Sequence, residues 1–463
     1  MKRITKLLGI AATGCAVCYF ALVGYVYYHD NQRATASLTP IKPSTLNSNV
    51  LTILQEKGCD YCHTPSAKLP FYASFPIAKQ LMDYDIELGY KSFNMQQIRN
   101  SLLENTAAPQ GDITKIEWVM EHQTMPPGRY TALHWAGSMN EQERTLLLDW
   151  VKHQRLHYYA TPDMAENRRN EPVQPIPESL PVDAQKVALG MRLYHDPRIS
   201  GDNSISCAHC HQLGAGGVDG RKTSRGVGGS IGPINAPTVY NSVFNIEQFW
   251  DGRAADLQEQ AGGPPLNPIE MASKSWDDIT DKLKQDPILS RDFTKIYPQG
   301  FSGATITDAI AEFEKTLITP NAPFDLYLRG DEKALSAQQK HGYQLFKDNK
   351  CATCHGGKIL GGRSFEPLGL KKDFSFGEIT SADIGRMNVT KEVRDRLRQK
   401  VPTLRNVALT APYFHRGDIE TLDEAVKQML KYQVGTTLPQ NDVDDIVAFL
   451  HTLNGVYTPY PLN

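Results

Sequence analysis

The chain has 463 residues, 49 basic and 51 acidic side chains, and 40% hydrophobic residues. That length exceeds one hydrophobic core, so two to four domains are expected. The near-balance of charge gives no support to a nucleic-acid or other polyanionic partner.

Lys2, Arg3 and Lys6 precede an uncharged apolar run from Leu7 to Tyr28. As a helix, those residues would span about 33 Å, enough for the hydrocarbon core of a bilayer. Basic residues ahead of the run predict a single pass with a cytoplasmic N-terminus and an exported body. In a bacterium this is an inner-membrane anchor with a periplasmic body. A cleaved signal peptide is the rival. The run is longer than a usual signal core, however, and its end, Tyr25, Tyr27 and Tyr28, suits an interfacial belt. Residues 1–30 are therefore expected to form an anchor, within which Cys15 and Cys18 are small apolar residues. Residues 31–49 are polar, carry two prolines and are expected to form a tether.

A first module is expected over 50–160. Leu51 and Leu54 read as a short helix running into Cys59-Asp60-Tyr61-Cys62-His63, a C-x-x-C-H frame. The same frame recurs at Cys207 and Cys210 with His211, and at Cys351 and Cys354 with His355. In such a frame two thiols add to the haem vinyls and the histidine gives iron an axial nitrogen. A redox C-x-x-C, a zinc knuckle or a disulfide needs no histidine after every pair. The three frames also use every cysteine outside the first 20 residues. Three covalently attached c-type haems follow, held by Cys59, Cys62, Cys207, Cys210, Cys351 and Cys354.

Met125-Pro126-Pro127-Gly128 comes 62 residues after His63. That order resembles a small class I cytochrome c domain, and the resemblance implies Met125 as the second axial ligand. Met82, Met95, Met120 and Met139 are the alternatives. A thioether opposite histidine suits electron transfer at raised potential. Leu146, Leu147, Trp150 and Val151 then predict a last helix over about 140–159.

Residues 161–181 hold five prolines and many charges, and are expected to be a linker. Two further modules are expected over 182–330 and 331–463. Gly190-Met191-Arg192-Leu193-Tyr194 before the second frame is echoed by Gly342-Tyr343-Gln344-Leu345-Phe346 before the third. The frames start 148 and 144 residues apart. The predicted fold class is mainly α: three cytochrome c modules in series after a transmembrane helix. No flexible linker separates the second and third modules, so they are expected to pack together.

From about Val182 onward the chain resembles the bacterial dihaem cytochrome c peroxidase family, which includes the MauG-type enzymes. The runs that carry the resemblance begin with Leu193-Tyr194-His195-Asp196-Pro197-Arg198-Ile199-Ser200, Asn235-Ala236-Pro237-Thr238 and Phe249-Trp250-Asp251-Gly252-Arg253. They continue with Asn267-Pro268-Ile269-Glu270-Met271, Val401-Pro402-Thr403-Leu404-Arg405-Asn406 and Ala411-Pro412-Tyr413-Phe414-His415. The extra N-terminal haem module and anchor are similar to the trihaem branch, the quinol peroxidases.

The resemblance implies that the second haem, on His211, is where H₂O₂ reacts. It implies Glu270 as the proton-transferring base, Gln260 as the polar partner and Trp250 as the indole between two haems. It further implies Met429 as the second ligand of the third haem, on the pattern Leu422, Val426, Met429, Leu430, with Met387 as the alternative. One Ca²⁺ is implied between the haem domains, held by the Asn235 side chain and the carbonyls of Thr410 and Pro412. One departure stands out. The family's Gly-His-Gly, whose histidine caps the oxidised iron, here reads Gly226-Val227-Gly228. Valine cannot ligate iron, so this haem is expected to be open at rest.

The expected function is peroxide reduction with electrons from the quinol pool, or from a soluble cytochrome c or cupredoxin. A non-catalytic multihaem carrier is a second class, and a modifying oxidase acting on a protein is a third. Oligomeric state is not legible in the sequence.

Overall fold

The computed structural model describes residues 2–37, 45–64, 67–374 and 377–461. The chain is mainly helical and divides into two compact units at Tyr158/Tyr159.

The first unit opens with a helix over Lys2–Ser37, of which Ile4–Gln32 is long and apolar enough to cross a membrane. The expected tether is thus helical as far as Ser37. Its 38–44 portion lies outside the described residues, and Leu46 already begins the next helix. Helices Leu46–Glu56, Met95–Glu104, Gln110–Glu121 and Glu141–Gln154 build the rest. Thr45 with Ser48, and Asn140 with Glu143, close capping boxes that satisfy the first amides of two of them. Their apolar faces bury Val50, Ile98, Ile113 and Trp150 completely. The Trp150 indole keeps its polar edge satisfied by donating to Asn47 Oδ1 at 3.0 Å.

The second unit contains the internal repeat twice over. Helix Ala184–Tyr194 packs on Gly303–Glu314, and helix Ala337–Asp348 packs on Gln440–His451. Each crossing is closest at the repeated glycine. A methyl on Gly190 would overlap the Ala309 carbonyl, and one on Gly342 the Asp445 carbonyl. The similarity of the two pentapeptides is therefore a packing requirement.

Another element recurs. Pro237-Thr238-Val239-Tyr240-Asn241 and Pro402-Thr403-Leu404-Arg405-Asn406 fold alike. In each, the threonine hydroxyl accepts from the amide two residues on (Tyr240 or Arg405) and donates to a loop carbonyl, Gly216 or Ile359. Each turn ends on an asparagine in left-handed backbone, φ 60° and 61°. Both asparagines meet Thr319: the amides of Asn241 and Asn406 donate to its hydroxyl at 2.9 and 3.0 Å. Among the described residues the one sheet is a small antiparallel pair, Phe365–Pro367 with Arg398–Lys400.

The stretch expected to be a linker is embedded instead. Val173 and Ile176 are fully buried and Met164 nearly so. Gln174 accepts from Arg405 at 3.0 Å, the Ile176 amide donates to Asp325, and Gly357 donates to the Pro172 carbonyl. Its prolines make it an extended strap rather than a flexible spacer. It is held by a buried ion pair, Arg405 to Asp325 at 2.7 Å, with both side chains wholly inaccessible.

Two outcomes are expected. Gly342→Ala overpacks a helix crossing and should lower stability by about 1–3 kcal/mol, read by thermal melting. Asp325→Ala strands a buried guanidinium and should cost about 3–5 kcal/mol, with the strap over 161–181 becoming a site of limited proteolysis.

Candidate active site

The first two C-x-x-C-H frames adopt short helical turns, Asp60–His63 and Cys207–Cys210. The third frame folds differently. Its turn, Cys351–Thr353, is of the tighter 3-10 kind and stops one residue short of Cys354. The Cys354 amide donates to the Cys351 carbonyl at 3.3 Å, the three-residue closure that a 3-10 turn requires. Cys354 Sγ then lies 3.8 Å from the Thr353 hydroxyl, and Cys351 Sγ donates to the Asn349 carbonyl at 3.7 Å. The histidine is nonetheless placed alike in all three frames. Its amide donates to the carbonyl of the first cysteine at 3.1 Å for His63, 3.0 Å for His211 and 2.9 Å for His355. Cys59, Cys62, Cys207, Cys210, Cys351 and Cys354 are all half-buried and none is joined in a disulfide.

In each frame the imidazole points Nδ1 at a backbone carbonyl. His63 faces those of Gly89 (3.0 Å) and Phe93 (3.2 Å), His211 that of Gly217 (3.4 Å), and His355 that of Leu360 (2.9 Å). Donation from Nδ1 fixes the tautomer and leaves Nε2 with its lone pair, the form that binds a metal. Burial holds all three rings below their ordinary pKa, with those carbonyls offsetting it only in part. His209, inside the second frame, is exposed and stands apart from this pattern.

The methionines sort by burial. Met95 and Met120 are 1% and 6% exposed and belong to the core of the first unit. Met125 is 36% exposed at the start of its Pro-Pro turn. Met429 is half-buried and closes helix Leu422–Met429, whose Ala425 and Val426 face inward. Met387 is also half-buried, at the start of helix Met387–Thr390.

Around the second frame the chain encloses a cleft with roughly 1350 Å³ of empty space, solvent at its mouth included. His211, Cys207 and Cys210 line it together with Trp250, Gln260 and Glu270. Three loops and one helix make this possible. Gln260 projects from helix Leu257–Gly262, whose first turn is capped by Asp256. Glu270 sits in a turn closed by its own amide on Asn267 O, and Asn267 Nδ2 donates to Glu270 Oε1 at 2.9 Å. The Gly-rich loop lies directly on that turn. The Val227 amide donates to Glu270 O at 2.8 Å, and only a glycine fits at 226, where a methyl would strike the Ile269 carbonyl. Trp250 is pinned from behind, its Nε1 donating to Asn235 O at 2.9 Å and its carbonyl accepting from the Lys400 amide at 2.7 Å.

Electrostatics separate the groups in the cleft. Burial raises the Glu270 pKa above the ordinary glutamate value, while Arg253 and the Asn267 bond pull it back. Glu314 also lines the cleft, and burial pushes its pKa up to about 8 with no counter-charge. Among the described residues its Oε2 has no hydrogen-bond partner. Lys400, buried in the same wall, falls to about 8, with Asp251 and Glu247 opposing the shift. These residues fit a haem: paired thiols, an imidazole, apolar walls from Ile205, Ala261, Met271 and Ile310, and the cations Arg225, Arg253 and Lys400 for its carboxylates.

Glu314 and Lys400 were not singled out from the sequence. Glu314 follows Ile306 and Ile310 at intervals of four, so an acid on an apolar helix face was the available signal. Lys400 carried no such sign.

The loop over 410–415 approaches Asn235 through a 2.7 Å bond from its amide to the His415 carbonyl. Asn235 Nδ2 donates to Arg221 O, and among the described residues no backbone amide donates to the carbonyls of Thr410 or Pro412. Oxygens of this kind suit Ca²⁺. Among the described residues no group of three His, Cys, Asp or Glu side chains could hold a metal, so calcium here would rest on neutral oxygens. His415 itself binds Asp383 at 2.7 Å and stands 6.1 Å from the Trp250 ring.

Comparison with known proteins agrees with this layout. Three family profiles match in series: a haem-binding domain over residues 18–153, di-haem cytochrome c peroxidase over 184–333 and cytochrome c over 339–454. The chain is 71% identical to cytochrome c peroxidase Ccp of Escherichia coli K12, covering 99% of both chains. It is 44% identical to cytochrome c551 peroxidase of Pseudomonas aeruginosa over 66% of this chain and 92% of that one. Among solved structures, a MauG-like protein associated with microbial copper homeostasis matches with a TM-score of 0.54 and 28% identity, over 61% of this chain and 93% of that one. The chain therefore belongs to the bacterial cytochrome c peroxidase family, whose members are haem peroxidases.

Proposed function

We propose that this chain is a membrane-anchored trihaem peroxidase that reduces H₂O₂ to two waters with two electrons from membrane quinol. The observation that carries the peroxidase reading is the convergence of Glu270, Gln260 and Trp250 with His211 on one cleft. The quinol reading draws on the apolar N-terminal helix that continues into the first haem-binding unit.

Cys207, Cys210 and His211 would hold a haem, which would supply the redox chemistry for cleaving the O–O bond. The protein supplies the rest. The Glu270 carboxylate takes the proton of one peroxide oxygen and returns it to the other, which then leaves as water. Asn267 keeps that carboxylate aimed, and the Gln260 carboxamide orients the peroxide. Trp250 offers an aromatic path from the His355 side, held rigid by Asn235 and Lys400. His63 with Met125 would hold the entry haem. His355 with Met429 would hold the relay haem, tethered through Cys351 and Cys354. Asn235, Thr410 and Pro412 would hold Ca²⁺ beside Trp250. The body then lies in the periplasm, with the N-terminus in the cytoplasm. A soluble cytochrome c or cupredoxin is the competing donor.

Glu270→Gln should lower peroxide kcat/KM by about 10²–10⁴-fold, with haem content unchanged. A base must be ionised to act. The wild-type rate should therefore fall as pH drops through a value above the ordinary glutamate pKa of about 4.3, because burial raises this carboxyl. The variant should lack that acid limb. Equal rates for the two proteins would refute the assignment.

Val227 lies on the Glu270 turn where the family's capping histidine is expected. Electron paramagnetic resonance of the fully oxidised protein should show one high-spin ferric signal, and Val227→His should convert it to low-spin and slow the first turnover. A wholly low-spin wild-type spectrum would overturn the open-site reading.

A further inference from the structure

The N-terminal helix is joined to its unit by a buried chain of hydrogen bonds. Asp30, near the helix end, is 5% exposed. Tyr61 Oη donates to its Oδ1 at 2.8 Å, and His134 Nδ1 lies 2.6 Å from its Oδ2. The other nitrogen of His134, Nε2, meets Tyr72 Oη at 2.8 Å. His134 and Tyr72 are themselves only 5% and 4% exposed. Tyr130 stacks flat on the imidazole, 4.1 Å between centroids. Tyr72, His134 and Asp30 are thus wired in series, with a neutral donor at one end and a carboxylate at the other. Tyr61 stands between Cys59 and Cys62, so this wire abuts the first haem frame.

Exposed aromatic rings surround it. Tyr25 of the helix meets Phe71 edge-on at 4.6 Å, and Phe71 meets Phe75 at 5.4 Å. Phe71 and Phe75 are 50% and 53% exposed. Lower on the helix, Tyr19 donates to the Ala132 carbonyl and Phe20 packs on Trp135. Tyr19 lies about 16 Å below Asp30 along the helix axis. Residues 132–135 therefore reach down a helix whose apolar stretch is long enough to cross a bilayer. Exposed aromatic rings at this depth belong in the interfacial and upper acyl region.

We infer that Tyr72, His134 and Asp30 form the proton-accepting site for a membrane-dissolved quinol whose head group docks among Tyr25, Phe71 and Phe75. The inference rests on quinol being the electron donor. Oxidising a quinol to quinone breaks two O–H bonds and releases two electrons. The oxidant would be the c-type haem that Cys59, Cys62 and His63 would hold, which would take the two electrons one at a time. For each proton, the quinol hydroxyl donates to Tyr72 Oη while the Tyr72 proton moves to His134 Nε2. Asp30 stabilises the imidazolium formed. His29, half-buried with Nδ1 3.7 Å from Asp30 Oδ1, gives the proton a way out before the second arrives. Tyr72 begins the cycle protonated, since burial and the nearby Asp30 charge both raise its pKa. Among the described residues the other ionisable groups against His134 are Tyr61 and Tyr130. Lys57 beyond them is engaged by the Ala136 and Ser138 carbonyls and by Glu143.

The test uses the full-length haem-loaded protein in nanodiscs. Peroxide turnover is measured with ubiquinol-1 and with a water-soluble one-electron dye, and binding of 2-heptyl-4-hydroxyquinoline N-oxide is followed by fluorescence quenching. Tyr72→Phe, His134→Gln and Asp30→Asn should each cut ubiquinol-driven kcat at least tenfold and change dye-driven turnover less than twofold. Tyr72→Phe should also weaken the N-oxide at least tenfold. Exposed Phe75→Ser leaves the buried wire intact, and should raise the ubiquinol KM at least threefold without changing kcat. Equal losses with both donors would mean that the wire is only a structural pin, and would overturn the site. Unchanged ubiquinol kinetics in all four variants would also overturn it, yet leave quinol as donor. Dye-driven but no ubiquinol-driven turnover by the wild type would overturn the quinol reading and this site with it.

Discussion

Two left-handed asparagines meeting on one threonine set the frame of the catalytic unit. Asn241 and Asn406 both donate to Thr319 Oγ1, and the Thr319 amide donates back to Asn241 Oδ1 at 2.9 Å. All three side chains are essentially inaccessible. Leaving one such buried group unpartnered would cost about 1–3 kcal/mol, so the node is satisfied as a whole or strained as a whole. Each asparagine ends a Pro-Thr turn, and each turn lies against the histidine of a C-x-x-C-H frame: Pro237 near His211 and Pro402 near His355. The node thereby fixes two imidazoles at once. It makes the second and third modules one object, with the strap over 161–181 locked beneath it by Arg405 and Asp325.

The site's position follows from that frame. Trp250 is tied to Asn235 on one side and to the amide of Lys400 on the other, so the indole belongs to both halves of the repeat. The Asn235 amide in turn holds the 410–415 loop through the His415 carbonyl. Oxygens suited to a cation and a ring suited to electron passage are thus built from the same few backbone segments.

Much of this was legible in the chain. Three C-x-x-C-H frames, the apolar run and the paired pentapeptides are local signals, and their physical causes are local too: thioether spacing, lipid solvation, a glycine at a helix crossing. Identical spacing did not dictate identical backbone, since the 3-10 turn at Cys351 leaves Cys354 outside it. Glu270, Gln260 and Trp250 came from motif resemblance, and the fold does bring them to one cleft. What composition hid was long-range. Prolines over 161–181 look like a spacer because sequence shows rigidity but not burial, whereas Val173 and Ile176 carry no surface at all. Asp30, Tyr72 and His134 are isolated in sequence, and each alone reads as an ordinary polar residue. Only docking of the N-terminal helix puts their atoms in line.

The cleft also holds two carboxyls with opposite fates. Glu270 has Arg253 and Asn267 to favour its ionised form against burial. Glu314 has nothing to offset burial, and its pKa of about 8 keeps it protonated at neutral pH. A protonated acid is a poor proton acceptor, so of the two carboxyls Glu270 is the one that suits the role of base proposed for it. Protonated Glu314 adds no negative charge to the cleft that it lines with Cys207. Environment, not residue type, assigns the roles.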